Sequence, residues 1–184
     1  MKNFILLFSL IGLFVSCEET TKHVCEVQTN GFIDGTGQTV MMGSEATIDV
    51  FKKIDAAWAE RDYETLKAHI ATGEFIHDDG TISTNGDEFA TKIESSYQES
   101  LAKGEEWGWT TNFAFSVKPS GSDDPELTNT LNYKSEVWLN DQVEGEWVNA
   151  RFTGNNGTVY EEWYQIADGK LISWSSAKRE LPKS

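Results

Sequence analysis

Cysteine is nearly absent, with 2 in 184 residues. A disulfide-built scaffold is therefore excluded. Basic side chains are also scarce: Lys+Arg number 15 against 30 Asp+Glu, for a formal charge of -15. Nucleic-acid phosphates demand a basic patch, so no nucleic-acid partner is expected. Electrostatic attraction to an anionic membrane surface is not expected either. The histidines His23, His69 and His77 show no H-x-x-x-H spacing, and the cysteines no C-x-x-C. The sequence thus offers no metal site, and it also lacks a P-loop, G-x-G-x-x-G and G-x-S-x-G, so no cofactor is expected. No internal repeat or low-complexity tract occurs. What is present is aromatic: 12% of the chain, including 7 Trp, within a 39% hydrophobic composition. Such a chain folds, and at this length one domain is the default.

The longest apolar run lies at the start, Phe4 to Val15, behind Lys2 and broken only by Ser9 and Gly12. It falls short of the ~20 apolar residues of a spanning helix and fits the core of a secretory signal. Phe14-Val15-Ser16-Cys17 then resembles a bacterial lipobox, with Phe14 where Leu is usual. That resemblance implies cleavage before Cys17, lipidation of its sulfur and a membrane-anchored protein of the bacterial cell envelope. Buried acyl CH₂ groups, at ~0.8 kcal/mol each, would be the anchor. The alternative is an ordinary signal peptide that contains a cysteine. With Cys17 lipidated, Cys25 has no intrachain partner and is either inert or open to intermolecular pairing. Nothing basic flanks it to lower its pKa, which favours the inert state. Residues 1–16 are read as signal, 17–43 as tether and 44–184 as the domain. Val40 and Met41 are among the tether residues apolar enough to dock on it.

Ser44 is a good helix N-cap, and Ile48, Phe51, Ile54 and Trp58 form one apolar face over roughly 45–60. Asp62 caps a second short helix with Tyr63, Leu66 and Ile70 on one side. Glu74 to His77 reads as a short strand, Asp78-Asp79-Gly80 as a turn and Thr81 to Ser83 as extended chain. Asn85 and Glu88 form a capping box for a third helix bearing Phe89, Ile93, Tyr97 and Leu101. The period then drops from about 3.6 to 2. Trp107, Trp109, Thr111, Phe113, Phe115 and Val117 alternate with small or polar residues, which predicts one heavy face on one long strand. Further strands are expected at Leu131 to Leu139, Trp147 to Thr153, Thr158 to Ile166 and Leu171 to Lys178. Turn signals separate them at Asp141 to Gly145, Asn155-Asn156-Gly157 and Asp168-Gly169. Helices first and antiparallel strands afterwards make an α+β fold.

This order resembles the nuclear transport factor 2-like superfamily, which includes SnoaL-like and ketosteroid isomerase-like proteins. The resemblance is carried by Phe51 to Tyr63 (FKKIDAAWAERDY), Glu74 to Gly80 (EFIHDDG), Asn85 to Phe89 (NGDEF), Asp168-Gly169-Lys170 and Ser173 to Ser175. It covers about residues 44–180. It implies a cone-shaped fold, with N-terminal helices packed on a curved antiparallel sheet around an apolar pocket. It also implies a homodimer through the sheet. Fold alone does not give function.

Two classes of function follow. The first is a lipid-anchored binding module that takes a small apolar molecule, or a protein partner, in or on its cone. The candidate pocket residues are Trp58, Tyr97, Trp109, Phe113, Tyr133 and Arg151. Each aromatic among them also fits plain core filling. Arg151 fits either an anionic-ligand clamp or a cross-strand pair with Glu136, Glu161 or Glu162. The second class is a SnoaL-like enzyme doing proton abstraction, isomerisation or dehydration. His77 would be its base and Asp78 its orienter, provided an apolar site tunes the His77 pKa. An exposed turn and a half-buried packing histidine explain the same residues.

Overall fold

Helix α1 (Glu45–Glu60) begins where Ser44 turns its hydroxyl back to accept the Thr47 N–H at 3.2 Å. This first turn is held from the sheet as well, because the Glu146 carboxylate accepts the Ser44 N–H at 2.6 Å. A carboxylate there complements the positive helix end. The helix buries Phe51, Ile54 and Trp58 along one stripe. It stops at Arg61, whose φ of 60° lies in the left-handed region, at a cost of roughly 1–2 kcal/mol for a non-glycine residue. The Arg61 guanidinium then sits 4.0 Å from the centroid of the Tyr97 ring. Asp62 caps α2 (Tyr63–Ala68) by accepting the Thr65 N–H at 3.1 Å, and Leu66 is the fully buried residue of that helix.

The computed structural model describes residues 29–32, 39–72, 75–77, 81–120 and 145–179. The expected strand at 131–139, and with it Tyr133, lies outside these, as do Cys17, Cys25 and Asp78. Strands β2 (Phe75–Ile76) and β3 (Ile82–Ser83) pair as a small antiparallel ribbon. They lead into α3 (Gly86–Ala102). Asn85 Oδ1 accepts the Glu88 N–H at 3.0 Å, and Glu88 reaches back to the Thr84 N–H at 2.7 Å. The expected capping box therefore closes one residue further upstream than its usual form.

The described sheet has five antiparallel strands: β1 (Val40–Met42), β4 (Trp109–Pro119), β5 (Glu146–Gly154), β6 (Val159–Ala167) and β7 (Lys170–Arg179). Their order is β1-β4-β5-β6-β7. β1 lies within the stretch read as tether and forms the edge of the sheet beside β4. The three helices and this sheet make the α+β class that the sequence predicts. The core lies between α1 and the sheet, where Phe51, Ile54, Val148, Phe152, Tyr164 and Leu171 are buried together.

One expectation fails in β4. Thr111 lies opposite Phe152, but Phe113 lies opposite Arg151, so Asn112 is an extra residue in a β-bulge. Residues directly opposite share a face, and adjacent residues do not. Trp109 and Thr111 therefore share the helix-facing side with Phe152, while Phe113, Phe115 and Val117 share the outer side with Arg151, Asn149 and Trp147. The single heavy face expected from 107 to 117 is split between the two sides of the sheet.

Candidate functional site

The period-2 pattern of β6 places Tyr160, Glu162 and Tyr164 on the helix-facing side. Across the β6–β7 ladder, Tyr164 meets Trp174 and Glu162 meets Ser176. On α1, Trp58 follows Ile54 by one turn and meets the same region from above. Its ring lies 5.1 Å from Trp174 at 66° and 5.3 Å from Phe89 at 85°. Trp107 precedes β4 and Trp109 opens it, their rings 5.7 Å apart at 70°. These steep angles make walls rather than a stack. They border a half-open cavity of ≈ 200 Å³ lined by Trp58, Trp107, Trp109 and Trp174, with Phe152, Tyr160 and Tyr164 completing the aromatic surface. Four of the 7 tryptophans thus meet at one cavity. Glu105, Glu106, Asn155 and Asn156, all exposed, form its rim. The Asn155 N–H donates to the Gly108 carbonyl at 3.2 Å, which ties the β5–β6 turn to the start of β4.

Two carboxylates orient the walls. Asp55, on α1, accepts the Trp109 indole N–H at 2.8 Å and the Thr111 hydroxyl at 2.7 Å. Those two bonds fasten the helix to the segment of β4 before the bulge. Glu162, which lines the cavity, accepts from the Tyr164 hydroxyl, from the Trp174 indole N–H at 3.1 Å and from the Ser176 hydroxyl at 3.0 Å. Burial pushes the Tyr164 hydroxyl well above its ordinary pKa, and the Glu162 charge and hydrogen bond push it the same way. Tyr164 is therefore a neutral donor at physiological pH. Among the described residues, the buried Trp107 indole N–H has no hydrogen-bond partner.

The sequence candidates separate clearly in space. Trp58 and Trp109 line the cavity. Tyr97 does not line it; its ring supports Trp107 edge-on at 5.4 Å. Phe113 is on the outer side, 43% exposed and stacked 6.2 Å from Phe115. Arg151 is also on the outer side, its Nε 3.7 Å from Glu161 Oε1, both side chains about two-fifths exposed (41% and 39%). Of its expected partners Glu161 shares its side, whereas Glu162 belongs to the opposite one. His77 is 0% exposed and is not part of the cavity lining. Its Nε2 pairs with Ser83 Oγ at 2.6 Å, and its ring stacks on Phe89 at 5.1 Å. In this structure it packs against Phe89 and Ser83 and does not contribute to the cavity wall.

Glu162, Tyr164, Trp174 and Asp55 were not singled out as site residues from sequence. The available signal was parity: an acidic residue flanked at i−2 and i+2 by tyrosines on a buried strand face. No group of three or more His, Cys, Asp or Glu that could hold a metal occurs among the described residues. None of the described helices is long and apolar enough to cross a membrane.

No protein-family model matches the chain, and no curated protein matches it in sequence. Solved structures align with it at low identity. One is a SnoaL-like protein of unknown function from Burkholderia thailandensis, at 9% identity over 76% of this chain and 99% of that one, TM-score 0.48. A cystatin-like fold protein from Burkholderia xenovorans aligns at 10% identity over 79% of this chain and 100% of that one, TM-score 0.47. A nuclear transport factor 2-like protein from Cytophaga hutchinsonii aligns at 13% identity over 73% of this chain and 97% of that one, TM-score 0.40. At these values no activity is carried from them to this chain.

Proposed function

We propose that the chain is a lipid-anchored, nuclear transport factor 2-like binding module that holds a small, largely apolar molecule in its aromatic cavity. The observation that supports this reading is the convergence of four tryptophans on one ≈ 200 Å³ space behind a polar rim. A concave, apolar cavity with a few fixed polar groups is the usual form of a small-molecule site. Native mass spectrometry of the purified full chain tests it. A co-purifying small molecule, lost in Trp174→Ala, is the expected result; a bare chain that also takes up no apolar probe contradicts it.

The anchor is part of the same proposal and rests on the Phe14 to Cys17 pattern. Labelled palmitate incorporated by the wild type and lost in Cys17→Ala is expected, and label retained in that variant contradicts the anchor. A homodimer through the outer side of the sheet is also proposed. Its support is the exposed row Phe113, Phe115 and Trp163, at 43%, 39% and 38% exposure. Light scattering that finds only monomer removes it. The enzyme alternative loses ground at His77, because a base must reach the proton it takes.

A further inference from the structure

Of the four tryptophans at the cavity, Trp107 is the one fastened least. Trp58 belongs to α1 and Trp174 to β7, and Trp109 opens β4 with its indole N–H on Asp55. Trp107 stands between α3 and β4, outside both. Its backbone N–H and that of Glu106 have no hydrogen-bond partner among the described residues. Its carbonyl accepts one bond, from Asn155 Nδ2 at 3.3 Å. Its ring is set edge-on against Tyr97 at 5.4 Å and against Trp109 at 5.7 Å. The indole N–H is buried without a partner among the described residues. Buried donors in folded proteins are nearly always paired, and an orphan bears the desolvation of the group with nothing in return. The inward position of this ring is therefore raised in energy against one in which the N–H reaches water. The backbone on either side allows such a second position. Gly104 (φ 71°) and Gly108 (φ 131°) bracket residues 105–107, and glycine changes φ in these regions without steric cost. Gly104 ends α3 with its N–H on the Leu101 carbonyl, and a Cβ there would meet nothing within 4 Å.

From these observations we propose that residues 105–107 form a hinged flap at the cavity mouth, with Trp107 as the door through which a ligand enters and leaves. The proposal rests on the pocket reading above and says how that site is entered. In the closed position, the one in this structure, Trp107 completes the aromatic wall beside Trp109. In the open position the indole turns to solvent and its N–H is hydrated. The empty cavity gives the closed ring little to cover, so the orphaned N–H favours opening. A ligand lying against Trp58, Trp109 and Trp174 gives it apolar surface to bury, which favours closing. The Asn155 side chain is the latch, because its bond to the Trp107 carbonyl ties the flap to the β5–β6 turn. Short glycine-bracketed segments of this kind move on the μs–ms timescale.

The test is ¹⁵N relaxation dispersion on the ligand-free full chain. Exchange on the μs–ms timescale is expected at the Trp107 indole N–H and at the amides of residues 105–107, while the indoles of Trp58 and Trp174 stay quiet. Saturation with the neutral apolar probe N-phenyl-1-naphthylamine is expected to quench that exchange. Stopped-flow fluorescence of the same probe adds a rate. Gly104 is not part of the lining, and alanine there disfavours the left-handed φ of the closed position. Gly104→Ala is therefore expected to take up and release the probe about threefold faster or more. A quiet Trp107 indole in a chain that binds the probe overturns the flap and leaves the pocket reading standing. Exchange at Trp107 in a chain that takes up no probe and carries no co-purified molecule overturns the pocket reading, and the door with it. The dispersion measurement on the wild-type chain decides the matter even if the variant fails to fold.

Discussion

The two sides of the sheet are both aromatic, yet they are built for different surroundings. On the helix-facing side, Phe152, Tyr164 and Trp174 pack under α1, and two carboxylates hold their neighbours in place. On the outer side, Phe113 stacks on Phe115, whose ring meets Trp163 edge-on at 6.4 Å, and all three are exposed. Residue type does not separate the two sets. What separates them is one extra residue, Asn112, because the side-chain period of a strand is 2 and a one-residue slip exchanges the faces. Trp109 belongs to the cavity and Phe113 to the outer surface for that reason alone.

Deleting Asn112 probes the bulge itself. It would make Thr111 and Phe113 adjacent in a regular ladder opposite Phe152 and Arg151, so Trp109 and Phe113 keep the sides they hold now and only the bulge is lost. We expect a folded chain that loses less than about 2 kcal/mol, read from urea denaturation. A deletion variant that fails to fold would mean that Asn112 does more than offset the two faces.

A larger contrast truncates one ring on each side. Phe152→Ala removes a buried ring and is expected to cost about 3–5 kcal/mol. Phe113→Ala removes an exposed one and is expected to cost less than about 1 kcal/mol. Equal losses in chemical denaturation would erase the distinction between the sides.

The third test uses acid. Burial acts to raise the Glu146 carboxyl pKa. The hydrogen bonds from the Ser44 N–H and the Thr47 and Ser44 hydroxyls, together with the Lys118 charge, outweigh it, so the pKa ends below the ordinary carboxylate range. A depressed folded-state pKa gives stability that is present above the unfolded value of about 4.3 and lost as pH falls through the folded value. Wild type should therefore lose more stability than Glu146→Gln between pH 7 and about pH 3, in urea melts at each pH. Parallel losses would show that this carboxylate does not hold α1 on the sheet.

The smallest effect belongs to Arg151. Its pair with Glu161 is half in water, and such pairs contribute between about 0 and 1 kcal/mol. Arg151→Ala should leave both stability and probe binding nearly unchanged. A loss of ligand binding in that variant would move the site to the outer side.

These contrasts also show what could be read from the chain beforehand. The helices were legible because their signals are local: Ser44, Asp62 and Asn85 cap, and Phe51, Ile54 and Trp58 repeat at helical spacing. The faces of β5 and β6 were legible because those strands keep register with each other, so Val148, Ala150 and Phe152 fall together as their alternation predicts. β4 was not, because Asn112 carries no mark that separates a bulge from an ordinary strand residue. Two of the five aromatic candidates for the pocket, Trp109 and Phe113, were placed by that one run. His77 was noticed for its chemistry, but only tertiary packing shows it closed in by Ser83 and Phe89. Glu162 was noticed only as a neighbour for Arg151; its role came from the sheet register that sets it opposite Ser176 and beside Trp174. Asp78, Tyr133 and Cys17 lie outside the described residues and keep the standing the sequence alone gives them.

The central claim is that the helix-facing side holds a ligand and the outer side does not. The indole N–H cross-peaks in a ¹⁵N–¹H spectrum report on both sides at once. During titration with a small apolar probe, the peaks of Trp58, Trp107, Trp109 and Trp174 should shift saturably while those of Trp147 and Trp163 stay in place. Movement of Trp163 with the cavity tryptophans unmoved would contradict the account.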